Sequence, residues 1–142
     1  MGQQQLILLV LGIVIVGLAV TIGIQAFSEN AKKANMDALV DDAIEFATSA
    51  QTWMLKPSIY AGGNNSCLTT CNWSTVTFTQ LGFNSSSGNY SNVNGQFVLD
   101  VSTSTEIIIT GTNSDYGNQV EVTVRGTNPT DVTATTDSNY SS

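Results

Sequence analysis

No histidine occurs in this sequence, which removes both the commonest general base and the commonest transition-metal ligand. Basic residues are almost as scarce. Lys32, Lys33, Lys56 and Arg125 stand against 11 Asp and Glu, for a net charge of −7. Nucleic-acid binding needs a basic stripe, and with only Lys32 and Lys33 adjoining there is none. Charged residues make up 11% of the chain, low for a cytosolic domain. Asn, Ser, Thr and Gly carry the polarity instead, a surface common on exported proteins. Cys67 and Cys71 are the only cysteines, and a zinc site would need two further suitable ligands that are not evident nearby. No Gly-rich phosphate loop is placed between a strand and a helix. These absences point away from an enzyme and from any bound cofactor or metal.

What is present begins with "MGQQQLILLVLGIVIVGLAVTIGIQAFSEN". No charge falls between Leu6 and Ile24. A cleavable signal peptide has a basic start, a shorter apolar core and an A-x-A-like exit. This stretch has none of the three. Its length matches the about 20 apolar residues that span a bilayer, so a simple anchor is one reading. Orientation is contested. Lys32 and Lys33 follow the run, which alone would hold the remainder in the cytoplasm. The sequons and paired cysteines described below favour the outside. An upstream leader carrying basic residues would remove the conflict.

From Ser28 to Leu55 there is neither Gly nor Pro, and good helix formers dominate. Met36, Leu39/Val40, Ala43, Phe46/Ala47, Ala50 and Trp53/Met54 recur at three- and four-residue steps, which predicts one apolar face. Asp37, Asp41 and Glu45 step along another. Together with Asp42 they read as solvated charge rather than paired catalytic carboxylates. Pro57 ends the pattern, because a residue before proline leaves the helical region. One continuous helix from about Gln4 to Leu55 is expected, roughly 75 Å long at about 1.5 Å per residue. Its first half is apolar all round and its second half on one face. Phe27, Phe46, Trp53 and Tyr60 are better explained as packing than as an aromatic conduction path.

Residues 57–74 form a turn-rich connection. Beyond it, a head over 75–142 shows period-two runs. Val76 and Phe78 alternate with threonines. Phe97, Leu99 and Val101 form another alternating set. "TEIIITG" at Thr105–Gly111 reads as a buried strand. Val120, Val122 and Val124 alternate with polar residues, and Val132 and Ala134 mark a weak last strand. Short loops between neighbouring strands predict an antiparallel meander. Its apolar face would pack on Leu39, Phe46 and Trp53, which stand at heptad spacing. Cys67 and Cys71 are close enough for a small disulfide loop, contributing about 2–3 kcal/mol. Asn-x-Ser/Thr sequons at Asn64, Asn72, Asn84, Asn89 and Asn139 are candidate glycosylation sites.

The layout resembles the type IV pilins and their relatives. "MGQQQLILLVLGIVIVGLAV" is similar to openings of pilin-like proteins of the Bacteroidota and neighbouring bacterial phyla, and "KPSIYAGG" with "FTQLGF" has the same character. The resemblance implies an α+β fold: a long N-terminal helix with an apolar first half (residues 3–27) and an amphipathic second half (28–56), packed on a small antiparallel sheet. It implies a filament subunit that self-assembles as a helical homopolymer. The chain would wait in the inner membrane until the pilus assembly machinery moves it into an extracellular pilus. The filament core would be built from Leu6, Leu8, Leu9, Leu11, Ile13, Ile15, Leu18, Ile22 and Ile24. Prepilin peptidase would cut between Gly2 and Gln3, with residues 1–2 as residual leader. The family usually carries a glutamate near mature position five; here Gln3, Gln4 and Gln5 precede the run and no acid appears before Glu29. Gly17 and Gly23 are candidates for softening of the helix in the assembled state, the alternative being close helix packing at small residues. A minor pilin or secretion-system pseudopilin, or a monomeric membrane-anchored binding domain, fits the same pattern.

Overall fold

The computed structural model describes residues 2–64, 67 and 71–140. Helix α1 runs Gly2–Leu55 without a break. A 3-10 turn follows at Ser58–Tyr60, then β1 (Asn89–Ser91), β2 (Gln96–Asp100), β3 (Ile107–Asn113), β4 (Asn118–Val124), a second 3-10 turn at Pro129–Asp131, and β5 (Val132–Asp137). The chain divides into two compact units, the first ending at Ala34 and the second beginning at Asn35.

The first unit is helical and its apolar side chains are exposed. The second is an α+β domain. The five strands lie in chain order and every neighbouring pair is antiparallel, the meander that the short loops predict. Leu39, Ala43, Phe46, Ala47, Ala50, Trp53 and Met54 of α1 are buried, a stripe at three- and four-residue steps. The sheet answers with Phe97 from β2, Ile107 and Ile109 from β3, and Val120, Val122 and Val124 from β4. Alternation along β3 and β4 sends their intervening residues to the opposite face. β5 sits at the sheet edge with all but its first residue exposed. The heptad set Leu39, Phe46 and Trp53 is 0%, 2% and 4% exposed, so the helix face expected from spacing is the face that packs.

The helix ends where proline requires it. The Trp53 carbonyl accepts from Lys56 N–H at 3.1 Å and Gly63 N–H at 3.0 Å, and Lys56 O accepts from Asn64 N–H at 2.8 Å. The Trp53 indole N–H donates to Ala61 O at 2.9 Å, holding the connection against the last turn. β2 stops at Asp100, whose carboxylate accepts from Ser102 N–H at 2.8 Å, so Val101 falls just outside the strand.

One expectation needs correcting. Val76 and Phe78 are buried but lie in no strand. Their segment hydrogen-bonds to itself: Leu81 N–H to Thr77 O, Gly82 N–H to Thr79 O, and Phe83 N–H to Phe78 O. The last two bonds, with Gly82 at φ +95°, form a Schellman closure. A turn of this kind buries alternate apolar residues as a strand does, so the alternation was not decisive. Phe78 and Phe83, at the two ends of the closure, both pack on one ring. Phe46 meets Phe78, Phe83, Tyr90 and Phe97 edge-on, with centroids at 5.3, 4.7, 5.3 and 4.9 Å.

Candidate functional site

Fourteen large aliphatic side chains lie between Leu6 and Ile24, and each is 51–67% exposed. They surround the helix axis, so there is no wet face. Gln3, Gln4 and Gln5 stand before them in the same helix, and the first turn holds no acid. The residues expected to form a filament core, Leu6, Leu8, Leu9, Leu11, Ile13, Ile15, Leu18, Ile22 and Ile24, all belong to this set. The run contains one hydroxyl, and Thr21 Oγ1 donates it to Leu18 O at 2.9 Å, leaving little polarity to desolvate. Full burial of a Val, Leu or Ile side chain stabilises by roughly 1.5–3 kcal/mol. With each side chain about 60% exposed, covering all fourteen is worth on the order of 10–25 kcal/mol. No ordinary monomer leaves that gain unused in water. The helix is long and apolar enough to cross a membrane, and its most apolar window has nothing packed over it.

Gly17 and Gly23 lie within regular helix, and a methyl group added at either, or at Gly12, would meet no atom within 4 Å. Their backbone is open to whatever surrounds the helix.

The second unit carries an anchor that pattern reading missed. Asp42 is half-buried, and one of its carboxylate oxygens accepts from Asn92 Nδ2 at 2.8 Å and Asn94 Nδ2 at 2.7 Å. Asn35 Nδ2 and Asn113 Nδ2 both donate to Asn94 O, at 2.9 and 2.7 Å. Asn118 Nδ2 donates to Asn35 Oδ1 at 3.0 Å. Asn92 Oδ1 accepts from Asn94 and Gly95 N–H, closing the β1–β2 loop on itself. A Cβ at position 95 would run into the Thr112 carbonyl, so glycine is required for this approach. The clasp joins α1 to the β1–β2 and β3–β4 hairpins. Asp42 is therefore not part of the solvated charge face; Asp37, Asp41 and Glu45 are exposed as that reading expects. The signal was weak but present. Asn35 and Asp42 are seven residues apart, hence on the same side of the helix as Leu39 and Phe46.

Cys67 and Cys71 are disulfide-bonded, with Cα atoms 3.9 Å apart, and Cys71 sits against the core beside Trp73. Of the sequon asparagines, Asn64, Asn72, Asn84, Asn89 and Asn139 are all exposed. The hydroxyl residues completing the sequons of Asn64 and Asn139 lie outside the described residues. Arg125 Nε pairs with Glu106 at 2.8 Å at the end of the β3–β4 ladder. Among the described residues, no three His, Cys, Asp or Glu side chains gather as metal ligands. Phe27 and Tyr60 are strongly exposed, whereas Phe46 and Trp53 are buried in the core.

Comparison with known proteins returns no matching family model, no matching curated protein and no matching solved structure.

Proposed function

We propose that this chain is a structural subunit of a type IV pilus-like filament. The observation that supports the reading most is a single helix, apolar on every side through Ile24, whose second part is pinned to a small sheet domain. Such a helix has two solvents open to it. Before assembly it lies in the cytoplasmic membrane, where its intact backbone hydrogen bonds are required. After assembly it is covered by the helices of other subunits. The second solvent is as apolar as the first, so transfer from membrane to bundle costs little hydrophobic energy. Small residues and close packing then decide the bundle. Gly12, Ala19 and Gly23 recur at seven and four residues, which puts them on one side of the helix.

In this reading the sheet domains form the outer shell on the cell surface, and prepilin peptidase exposes Gln3 as the mature start. The short disulfide loop suits an oxidising exterior. Electron microscopy of sheared surface material tests the proposal. Filaments that disappear on deletion of this chain, and that carry it as the dominant protein, are expected. A chain found only in the membrane fraction, with no filament, would sink it. That second outcome would fit a monomeric membrane-anchored domain, for which the same membrane-length helix is the supporting observation.

A further inference from the structure

A polar cleft of about 430 Å³ opens on the second unit, beside the hairpin ends that the asparagine clasp holds. Ser91, Gln96 and Thr112 share its wall because the register pairs Ser91 with Gln96 and Gln96 with Thr112. Asp115 and Tyr140 complete it from the β3–β4 turn and from beyond β5. Asn92 and Asn113 also line the cleft, but their amides are spent within the fold. By contrast, no side-chain hydrogen bond within the protein occupies Gln96, Asp115 or Tyr140 among the described residues.

The chemistry of the walls narrows the ligand. No Lys or Arg lines the cleft, and the chain carries net charge −7, so an anion is disfavoured. Asp115 is its only carboxylate, too few for a calcium site, which takes six to eight oxygens with several carboxylates among them. The walls are too polar for an apolar ligand, whose pockets are lined predominantly by hydrophobic side chains. What remains is a neutral ligand that both donates and accepts hydrogen bonds and has an apolar face. A pyranose ring meets that description. Its vicinal hydroxyls suit a carboxylate beside an amide, and its C–H face suits an aromatic ring. The clasp fixes the β1–β2 and β3–β4 loops, and Tyr140 N–H donates to Gly117 O at 3.0 Å, which limits the ordering entropy that opposes binding.

We infer that this cleft is a carbohydrate-binding site for a neutral mono- or disaccharide. Asp115 and Gln96 hold ring hydroxyls and Tyr140 offers its ring. The inference does not depend on filament assembly.

The test uses the full chain in dodecylphosphocholine micelles, avoiding glycoside detergents. Glucose, galactose, mannose, N-acetylglucosamine, lactose, cellobiose and maltose are titrated while amide NMR shifts are followed. At least one sugar should give saturable shifts at Ser91, Gln96, Thr112 and Asp115, with a Kd of about 1 mM or tighter. Asp115→Ala and Gln96→Ala, both at exposed positions, should each weaken that sugar about tenfold, and Tyr140→Ala at least as much. Glu121→Gln, on the same sheet but away from the cleft, should leave it unchanged. The inference is overturned if no sugar saturates, if the variants bind like the parent, or if only calcium or inorganic phosphate moves these amides.

Discussion

Replacing Asp42 by alanine should weaken the sheet domain far more than its place on a helix surface suggests. Two amide donors, Asn92 Nδ2 and Asn94 Nδ2, lose their acceptor at 2.8 and 2.7 Å. A hydrogen bond to a charged group contributes about 1.5–3 kcal/mol, and a half-buried carboxylate belongs at the low end of that range. The loss should come to about 2–4 kcal/mol, since the orphaned amides regain some water. Asp42→Asn keeps one acceptor oxygen without the charge and should cost about 1 kcal/mol. Asp41→Ala is the control: Asp41 is exposed and bonded to nothing in the clasp, so its loss should stay within about 0.5 kcal/mol. Trp53 and Trp73 are both buried in the sheet domain, so their fluorescence reports its unfolding. In urea, with a mid-range slope of about 2 kcal/mol per M, Asp42→Ala should lower the midpoint by about 1–2 M. Equal midpoints for Asp42→Ala and Asp41→Ala would refute the clasp and restore Asp42 to the solvated face.

Phe46→Ala removes the ring that four others meet edge-on and should cost about 3–5 kcal/mol by the same assay; a loss under about 1.5 kcal/mol would mean the cluster repacks freely. Alkylation of the unfolded, unreduced chain should label neither Cys67 nor Cys71, whereas two labelled thiols would rule out the bridge. Replacing both cysteines by serine should cost about 2–3 kcal/mol. If the chain is a pilus-like subunit, mass spectrometry of the protein recovered from cells should find Gln3 first, either free or cyclised to pyroglutamate with loss of ammonia; an intact Met1 or a start near Phe27 would reject peptidase processing at Gly2.

The elements that local period governs were legible. Leu39, Phe46 and Trp53 gave away the packing face because a helix allows one side to recur every seven residues. Val120, Val122 and Val124 gave away β4 because pleating alternates sides. Pro57 marked the helix end. What escaped depended on residues far apart in the chain. Asn35 and Asn118 meet across 83 positions, and nothing in an asparagine-rich sequence says which amides will pair. Asn89–Ser91 has one ring and two polar neighbours, so β1 exists through its pairing with β2 rather than through its own composition. Val76 and Phe78 failed for the opposite reason. Their alternation was real, but Gly82 allowed a turn to satisfy it, and the Schellman bonds took the backbone groups that a ladder would have used. In the first unit the composition of Leu6–Ile24 said almost everything, because a uniformly apolar helix has no face to misassign.

The glycines of the apolar half separate two accounts of how such a helix would assemble. In the single chain α1 is unbroken through Gly12, Gly17 and Gly23, although each costs about 1 kcal/mol relative to alanine. One account is that Gly17 and Gly23 let the helix soften when neighbours replace lipid. The other is that small residues let helices approach. Geometry makes the two separable. At about 100° per residue, Gly23 lies within about 20° of Gly12, on the side shared with Ala19, whereas Gly17 points about 140° away. If one close-packed seam explains the glycines, Gly23→Ala should impair assembly and Gly17→Ala should be tolerated. If backbone softening explains them, direction is irrelevant. Either substitution should then stiffen the filament, and the pair together should do so more. Neither should disturb insertion into the membrane, since alanine is the better helix former and meets no atom of the chain at either site. Filament stiffness and yield for the two single variants and the double, set against membrane-fraction levels, decide it. Unbroken α-helical rise through Leu11–Gln25 in a filament map, with only Gly23→Ala defective, would reject softening. Normal assembly and stiffness in all three variants would reject both accounts.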